Sequence, residues 1–389
     1  MIKKKIAPLG RSFRLALLLI MSLMAAVISA PPASALDGTC SESGNYEACF
    51  TYGAGVEDRL IAAKIKSKID ATTAAAAAGE TGDYIRVALY NWDVDGGGTA
   101  IANSLAAAAG AGVSVRVVIG PSSQDIKDIF TAAGIDWKLC DKSCVETDSG
   151  AMHNKFFVIK KGDTKLVLQS SSNLGAWQAQ HAQNLLISRD DALLFSAYVN
   201  YWRRLYAKNW TYDSVTWSTD ADRTVDGSND LSKAYFFPQP NSNRVADVLG
   251  NVSECVDGND RIWMEASLVE DETYAQDIIT QLNRLQNLGC DVKIIVQEQS
   301  GKDIIQKYGV DDIQISCDGW SHNKLLLIDA KYAGEWRKAV FTGSYNLTEN
   351  SSHRANDVML RVIDGWVTNR YIDQFQTLWT NPHACDQGT

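Results

Sequence analysis

Two triplets in this chain could do chemistry together: His153-Asn154-Lys155 and His322-Asn323-Lys324. Each opens an apolar run, Phe156-Phe157-Val158-Ile159 and Leu325-Leu326-Leu327-Ile328. Each run leads to a turn rich in serine and asparagine, Ser170-Ser171-Ser172-Asn173 and Gly343-Ser344-Tyr345-Asn346. Neutral imidazole is a good nucleophile near pH 7 and can attack phosphorus directly. A second imidazole can give a proton to the departing oxygen and then take one from water. Lys155, Lys324 and the donors Ser171, Asn173, Ser344 and Asn346 would stabilise the phosphoryl oxygens without a metal. On a strand, His-x-Lys puts both side chains on one face, because the side-chain period is two. Each half of the chain would then deliver one histidine and one lysine to a shared cleft. A lone histidine of this kind is more often a hydrogen-bonded or surface residue; the duplication carries the argument.

The elements that must position these residues are themselves repeated. In the first half, Tyr84 to Tyr90 reads as a buried strand, residues 97–110 as a helix and Val113 to Ile119 as a second strand. In the second half, Arg261 to Ala266, residues 272–287 and Asp291 to Val296 repeat that order. Strand–helix–strand predicts parallel pairing with right-handed crossovers. A helix closes each half, Asp191 to Ala207 and Asp364 to Thr380, with the aspartates at N-cap positions. Asn173 and Asn346 are 173 residues apart, as are Ser171 and Ser344, Leu174 and Leu347, and the two cap aspartates. The same offset pairs Asn184 with Asp357. Between the halves, residues 213–242 are polar and hold Pro238 and Pro240, the composition of a linker or surface excursion.

The first 35 residues read as a secretory signal peptide: a basic start, an apolar core from Leu15 to Ile28, and Ala33-Ser34-Ala35 as a cleavage site. They hold five basic and no acidic residues, so the remainder has 32 basic against 46 acidic residues, a net charge of −14. That balance argues against a protein living on nucleic-acid phosphates. All eight cysteines lie beyond the signal, an even count that reads as disulfides in an exported chain. Cys40–Cys49 and Cys140–Cys144 are the natural local pairs. Cys255, Cys290, Cys317 and Cys385 allow three connectivities. The spacings do not form the paired Cys-x-x-Cys of a zinc site.

The motif pair resembles the phospholipase D superfamily, whose signature is a repeated His-x-Lys-x4-Asp with Gly-Ser-x-Asn downstream. The second copy fits in full, with His322, Lys324, Asp329 and Gly343-Ser344-Tyr345-Asn346. The first copy departs: Lys160 stands at the aspartate position and Ser170 replaces the glycine. The resemblance implies an α/β fold of two pseudo-symmetric repeats, each a mostly parallel β-sheet flanked by helices, sharing one active site. The repeats would span 59–212 and 243–389, after an N-terminal segment at 36–58. It also implies a phosphohistidine intermediate and neither metal nor other cofactor. His153 would be the nucleophile and His322 the general acid and base, with Lys155, Lys324 and Asp329 counted among the catalytic residues. Family members place an acidic residue after Gly-Ser-x-Asn to orient a catalytic histidine; Asp357 takes that place, and Asn184 is its counterpart in the first half.

Export and acidity favour a phospholipid headgroup phosphodiester as substrate, cleaved by a secreted hydrolase acting as a monomer with transient membrane-surface contact. A secreted nuclease of the same fold and a catalytically weakened lipid- or phosphate-binding protein are the alternatives. Trp177 and Trp320 near the motifs suit a lipid interface at the cleft mouth. The loop Asp93-Val94-Asp95-Gly96-Gly97-Gly98 lacks the full EF-hand spacing and reads as a tight turn near the cleft.

Overall fold

In the computed structural model, which describes residues 36–145, 149–256 and 260–387, the apolar runs behind the two His-x-Lys triplets are central strands. The expected signal peptide lies outside the described residues. The first half builds β1 (Thr39–Ser43), β2 (Tyr46–Phe50), β3 (Tyr84–Leu89), β4 (Ser114–Ile119), β5 (Asp136–Leu139), β6 (Lys155–Lys161), β7 (Thr164–Ser170) and β8 (Asn184–Arg189). A small hairpin, β9 (Thr211–Tyr212) and β10 (Val215–Thr216), follows. The second half builds β11 (Thr224–Asp226), β12 (Ser232–Phe236), β13 (Val252–Glu254), β14 (Arg261–Ala266), β15 (Asp291–Val296), β16 (Gln314–Cys317), β17 (Lys324–Tyr332), β18 (Glu335–Gly343) and β19 (Val358–Ile363).

The two large sheets have matching orders, β2-β8-β7-β6-β3-β4-β5 and β12-β19-β18-β17-β14-β15-β16. Both are mixed, which corrects the expectation of mostly parallel sheets. Only β3-β4-β5 and β14-β15-β16 run parallel, where helices separate the strands. The other neighbours in these two orders pair antiparallel; of these, β6–β7 and β17–β18 are joined by two residues, which leaves no room for a crossover. The β17–β18 turn is two residues long, and Ala333 and Gly334 both take positive φ (51° and 84°), as a twist-matched hairpin needs. The segments read as an N-terminal extension and a linker also differ from expectation. β2 extends the first sheet beside β8, and β12, from within 213–242, extends the second beside β19. Each repeat therefore begins earlier in the chain than its helix–strand pattern suggests.

Alternation explains the layers. Phe156 and Val158 face a core shared with Leu325 and Leu327 of the other half, while Phe157 and Ile159, and Leu326 and Ile328, face separate outer cores. The closing helices Ala192–Ala207 and Gly365–Thr380 contribute to the shared core through Tyr198, Tyr201, Tyr371 and Phe375. Asp191 and Asp364 cap these helices, accepting from the backbone N–H of Leu194 (3.0 Å) and Val367 (2.8 Å), each worth about 1 kcal/mol. The four disulfides are Cys40–Cys49, Cys140–Cys144, Cys255–Cys290 and Cys317–Cys385.

Candidate active site

β6 and β17 begin at the lysines, so the histidines sit just ahead of the strands on short segments held by the opposite half. The His153 N–H donates to Asn356 O (2.9 Å), and Asn356 N–H to Ala151 O (2.7 Å). The His322 N–H donates to Ala182 O (3.0 Å), and Ala182 N–H to Trp320 O (2.6 Å). Each histidine is thus clipped by the segment that leads into the other half's last strand. Lys155 and Lys324 are buried and fold back to donate to the carbonyls of their own histidines, at 2.8 and 2.9 Å.

These clips reveal a slip in the repeat. The residue after Asn356 is Asp357, whose Oδ1 lies 2.8 Å from His153 Nδ1. The residue after Ala182 is Gln183, whose Nε2 lies 3.2 Å from His322 Nδ1. Strand register agrees: Ser171 N–H donates to Asn184 O, whereas Ser344 N–H donates to Val358 O. The counterpart of Asp357 is therefore Gln183, one residue before the expected Asn184. The stretch after Asn173 contains a four-residue helix, Ala176–Ala179, where the second half has five residues, Glu349–His353. Asp190, at φ 59°, stands in the longer turn between the last strand and the cap aspartate and restores the offset by Asp191. Asn184 does not meet His322. Its Nδ2 donates to Asn323 Oδ1 (2.7 Å), and its Oδ1 accepts from Thr342 (2.7 Å) and Tyr371 (3.1 Å), a buried polar tie between the halves.

The partners fix opposite tautomers. Asp357 accepts from His153 Nδ1–H, which leaves the Nε2 lone pair free. The orientation of Gln183 follows from a chain anchored in the backbone. Asn173 N–H donates to Gln178 Oε1, so Gln183 must turn Nε2 toward that oxygen (2.9 Å) while its Oε1 accepts from Ser171 Oγ (2.7 Å). Gln183 Nε2 then faces His322 Nδ1 as a donor, and the His322 proton sits on Nε2.

The centre is a cluster of buried bases with one carboxylate in contact. Burial lowers the Lys155 ammonium to about 7. Burial, then the charge of Lys155, pushes Lys324 well below its usual range. Burial, then Lys324 and Lys155, does the same to His322. Burial and Lys155 lower His153, against the opposing pull of Asp357. Burial resists ionisation of Asp357, but His153 and Lys155 outweigh it and hold the carboxyl below its usual range. Two lysines and two histidines outnumber the one carboxylate in contact with them, so the site is suited to an anion.

Of the remaining expected residues, Asn173 and Asn346 have their Oδ1 atoms occupied, by Asn91 N–H (3.4 Å) and Ser267 Oγ (2.9 Å). This leaves the amide nitrogen as the end able to donate. Ser171 and Ser344 are fully buried and accept from the N–H of Asn184 (2.9 Å) and Val358 (3.1 Å), bracing the strand turns. Asp329 is not at the centre, which corrects its assignment as catalytic. It lies five residues along β17 from Lys324, about 17 Å at strand rise, and pairs with Arg261 at 2.9 Å. In the first half both partners differ: Tyr84 stands opposite Lys160, whose Nζ reaches Gly82 O at 3.3 Å.

Several contributors were not foreseen. Glu265, buried in β14, accepts from Ser321 Oγ (2.8 Å) and Asn323 Nδ2 (3.0 Å), the residues flanking His322. Burial raises it to about 7. Its counterpart by register is Ala88. A glutamate between the apolar run Ile262-Trp263-Met264 and Ala266 was the available signal. Lys324 donates to Ser267 Oγ (2.7 Å), whereas Lys155 lies 5.5 Å from the centre of the Tyr90 ring. Trp177, which the sequence did place near the motifs, is half-exposed; its ring stands edge-on to His322 at 5.3 Å and lies tilted against the unforeseen His181 at 3.8 Å.

A sequence profile described as "Cardiolipin synthase, PLD-like domain" matches residues 75–206 and 258–379. A search of curated proteins finds no significant match. Among solved structures, phosphatidylserine synthase of Haemophilus influenzae Rd KW20 aligns with TM-score 0.51 and 12% identity, over 90% of this chain and 91% of that one. Polyphosphate kinase from Porphyromonas gingivalis aligns with TM-score 0.50 and 14% identity over 80% of this chain, which spans 48% of the kinase. Nuc from Salmonella typhimurium, a phospholipase D family member, aligns with TM-score 0.30 and 17% identity, over 40% of this chain and 98% of that one. With both repeats matched across more than half its length, the chain belongs to the phospholipase D superfamily.

Proposed function

We propose that the protein is an exported phospholipase D-type phosphodiesterase that hydrolyses the headgroup diester of a phospholipid through a phosphohistidine intermediate. The observation that carries this reading is the opposed tautomers in one anion-seeking cluster: a free lone pair on His153 Nε2 and a proton on His322 Nε2. The four disulfides support export to an oxidising compartment. His153 Nε2 attacks phosphorus, the bond to the headgroup oxygen breaks, and His322 Nε2–H protonates that oxygen. Giving up this proton requires one at Nδ1 in exchange. Lys324 Nζ lies 3.2 Å from Nδ1; with the charge of the bound phosphodiester holding it as an ammonium, it supplies that proton. In the second step His322 Nε2 takes a proton from water, the hydroxide displaces His153, and the Nδ1 proton returns to Lys324. Lys155 and the amides of Asn173 and Asn346 hold the phosphoryl oxygens.

Turnover of phosphatidylcholine and of plasmid DNA in chelator-containing buffer tests the reading. Release of choline with ethanol-trapped transfer product is expected. Cleavage of DNA alone would establish the nuclease alternative, and binding without turnover the weakened binding protein.

A further inference from the structure

Three loops of the first repeat meet around the cleft mouth, and each carries an exposed apolar side chain: Val56 (54% exposed), Val94 (37%) and Trp177 (50%). The loops are tied together. Gly55 N–H donates to Gln180 O (3.3 Å), Asp58 N–H to Ala179 O (2.7 Å) and Asp93 N–H to Leu174 O (2.7 Å). Glu57 accepts from the Gly96 backbone. The Trp177 ring stands against His322, so this rim is continuous with the reaction centre. The second repeat provides an internal control. Trp92 bridges to Leu174 as Val269 bridges to Leu347, which makes Asp271 the counterpart of Val94 and Asn350 that of Trp177. That rim is polar. The apolar rim also bears a distinct charge: Glu57, Asp93 and Asp95 are exposed on it against Arg59 alone, itself paired with Glu57 at 2.7 Å.

We infer that the first-repeat rim, Val56, Val94 and Trp177, is an interfacial surface that seats on a zwitterionic, choline-bearing lipid layer. Val56 and Val94 are surface residues of loops whose backbones are fixed, so they can enter the headgroup zone at little ordering cost. The acidic groups between them are repelled by anionic lipid and attracted by the outermost ammonium of choline headgroups. Contact on one rim tilts the cleft so that a lipid phosphate enters beside Trp177 and His322. This inference rests on the phospholipid reading of the site, but its binding half is measured without turnover.

The test uses the full disulfide-bonded chain with sucrose-loaded vesicles of phosphatidylcholine or phosphatidylglycerol, and the soluble diester bis-p-nitrophenyl phosphate. Wild type is expected to sediment with phosphatidylcholine more than with phosphatidylglycerol. Val56→Asp/Val94→Asp should lower both sedimentation and vesicle turnover by about tenfold or more, with soluble-diester turnover unchanged. Val56→Trp should raise sedimentation. Preference for phosphatidylglycerol, unaltered vesicle turnover in the double variant, or capture of DNA in place of vesicles would each overturn the surface. Sedimentation with no cleavage of any lipid would keep the surface and sink the phospholipase reading. Cleavage of lipid that ignores all three substitutions would do the reverse.

Discussion

What a catalytic imidazole can do is decided by the group on its other nitrogen, and here the two partners differ in charge. Asp357 holds a proton on His153 Nδ1, and in the proposed reaction it would stabilise the cation formed when Nε2 bonds to phosphorus. Gln183 offers His322 only an N–H, so His322 gains no such support. Asp357→Asn should therefore lower kcat by roughly ten-thousandfold with the fold intact, as loss of the orienting carboxylate does elsewhere. Gln183→Glu should act in the opposite sense: a carboxylate at Nδ1 raises the pKa of His322 and lets it hold its own second proton. Turnover should rise, and the alkaline limb of the pH profile should move up by about one unit. A profile unmoved by Gln183→Glu would show that His322 does not transfer the proton. The lysines yield a separate expectation. Burial holds Lys155 near 7, with Lys324 and His322 displaced downward as well. A bound oxyanion supplies the missing charge and raises all three, so binding takes up protons. Sulfate, which does not titrate in this range, should bind more weakly as pH rises through 7. Calorimetry in buffers of different ionisation enthalpy should count net uptake; release or no exchange would contradict the charge assignment.

Among the elements, β14 and β17 show how a signature residue can serve the sheet alone. Arg261 and Asp329 face each other across the ladder at the end far from Lys324, with Lys338 a further 3.4 Å from the carboxylate. The pair is part-exposed, so Asp329→Asn should cost about 0.5–1 kcal/mol of stability and leave kcat unchanged. A large fall in kcat at full folding would return Asp329 to the chemistry. The same strands show what the sequence could reveal. Phe156 to Ile159 and Leu325 to Ile328 were legible as strands because each is apolar on both faces, and both faces are covered. Asp191 and Asp364 were legible as caps because the capping bond is local. The strands β2 and β12 were not, since their partners β8 and β19 lie more than a hundred residues away and their own stretches are short and polar-flanked. Gln183 was hidden by two compensating length changes: the matches at Asn173 and Asp191 are true, and the residues between them slip by one. The cross-half bridges at Ala182 and Asn356 expose the slip, and the bonds of Ser171 and Ser344 to the last strands agree. Of the candidate site, the two histidines and two lysines were legible from spacing and Asp357 from the family resemblance; which histidine Asp357 meets, and that Gln183 faces the other, depended on which half's backbone clips which loop.

At the scale of the whole molecule, both histidine loops depend on segments remote in sequence, and covalent bridges hold some of those segments. Cys317, five residues before His322, is joined to Cys385 of the C-terminal tail. The tail continues the hold: Gly319 N–H donates to Ala384 O (2.9 Å), and His383 Nδ1 lies 3.0 Å from Asp318 Oδ1, which also accepts from Trp320 N–H. Cys255–Cys290 instead joins the segments leading into β14 and β15, at the sheet end where Arg261 meets Asp329. The two bridges close loops of 68 and 35 residues. Chain entropy grows slowly with loop length, so each should contribute about 4 kcal/mol to stability on that account. Equal thermodynamic cost makes the comparison informative. Cys255→Ala/Cys290→Ala should lower the denaturation midpoint and leave kcat unchanged in native buffer. Cys317→Ala/Cys385→Ala should lower the midpoint by a similar amount and also lower kcat, because the loop that sets His322 against Gln183 loses its tether. Turnover of a soluble diester, measured well below both midpoints, separates the cases. Equal kcat in the two variants would mean that Ala182 and Glu265 suffice to place His322, and that the tail bridge serves stability alone.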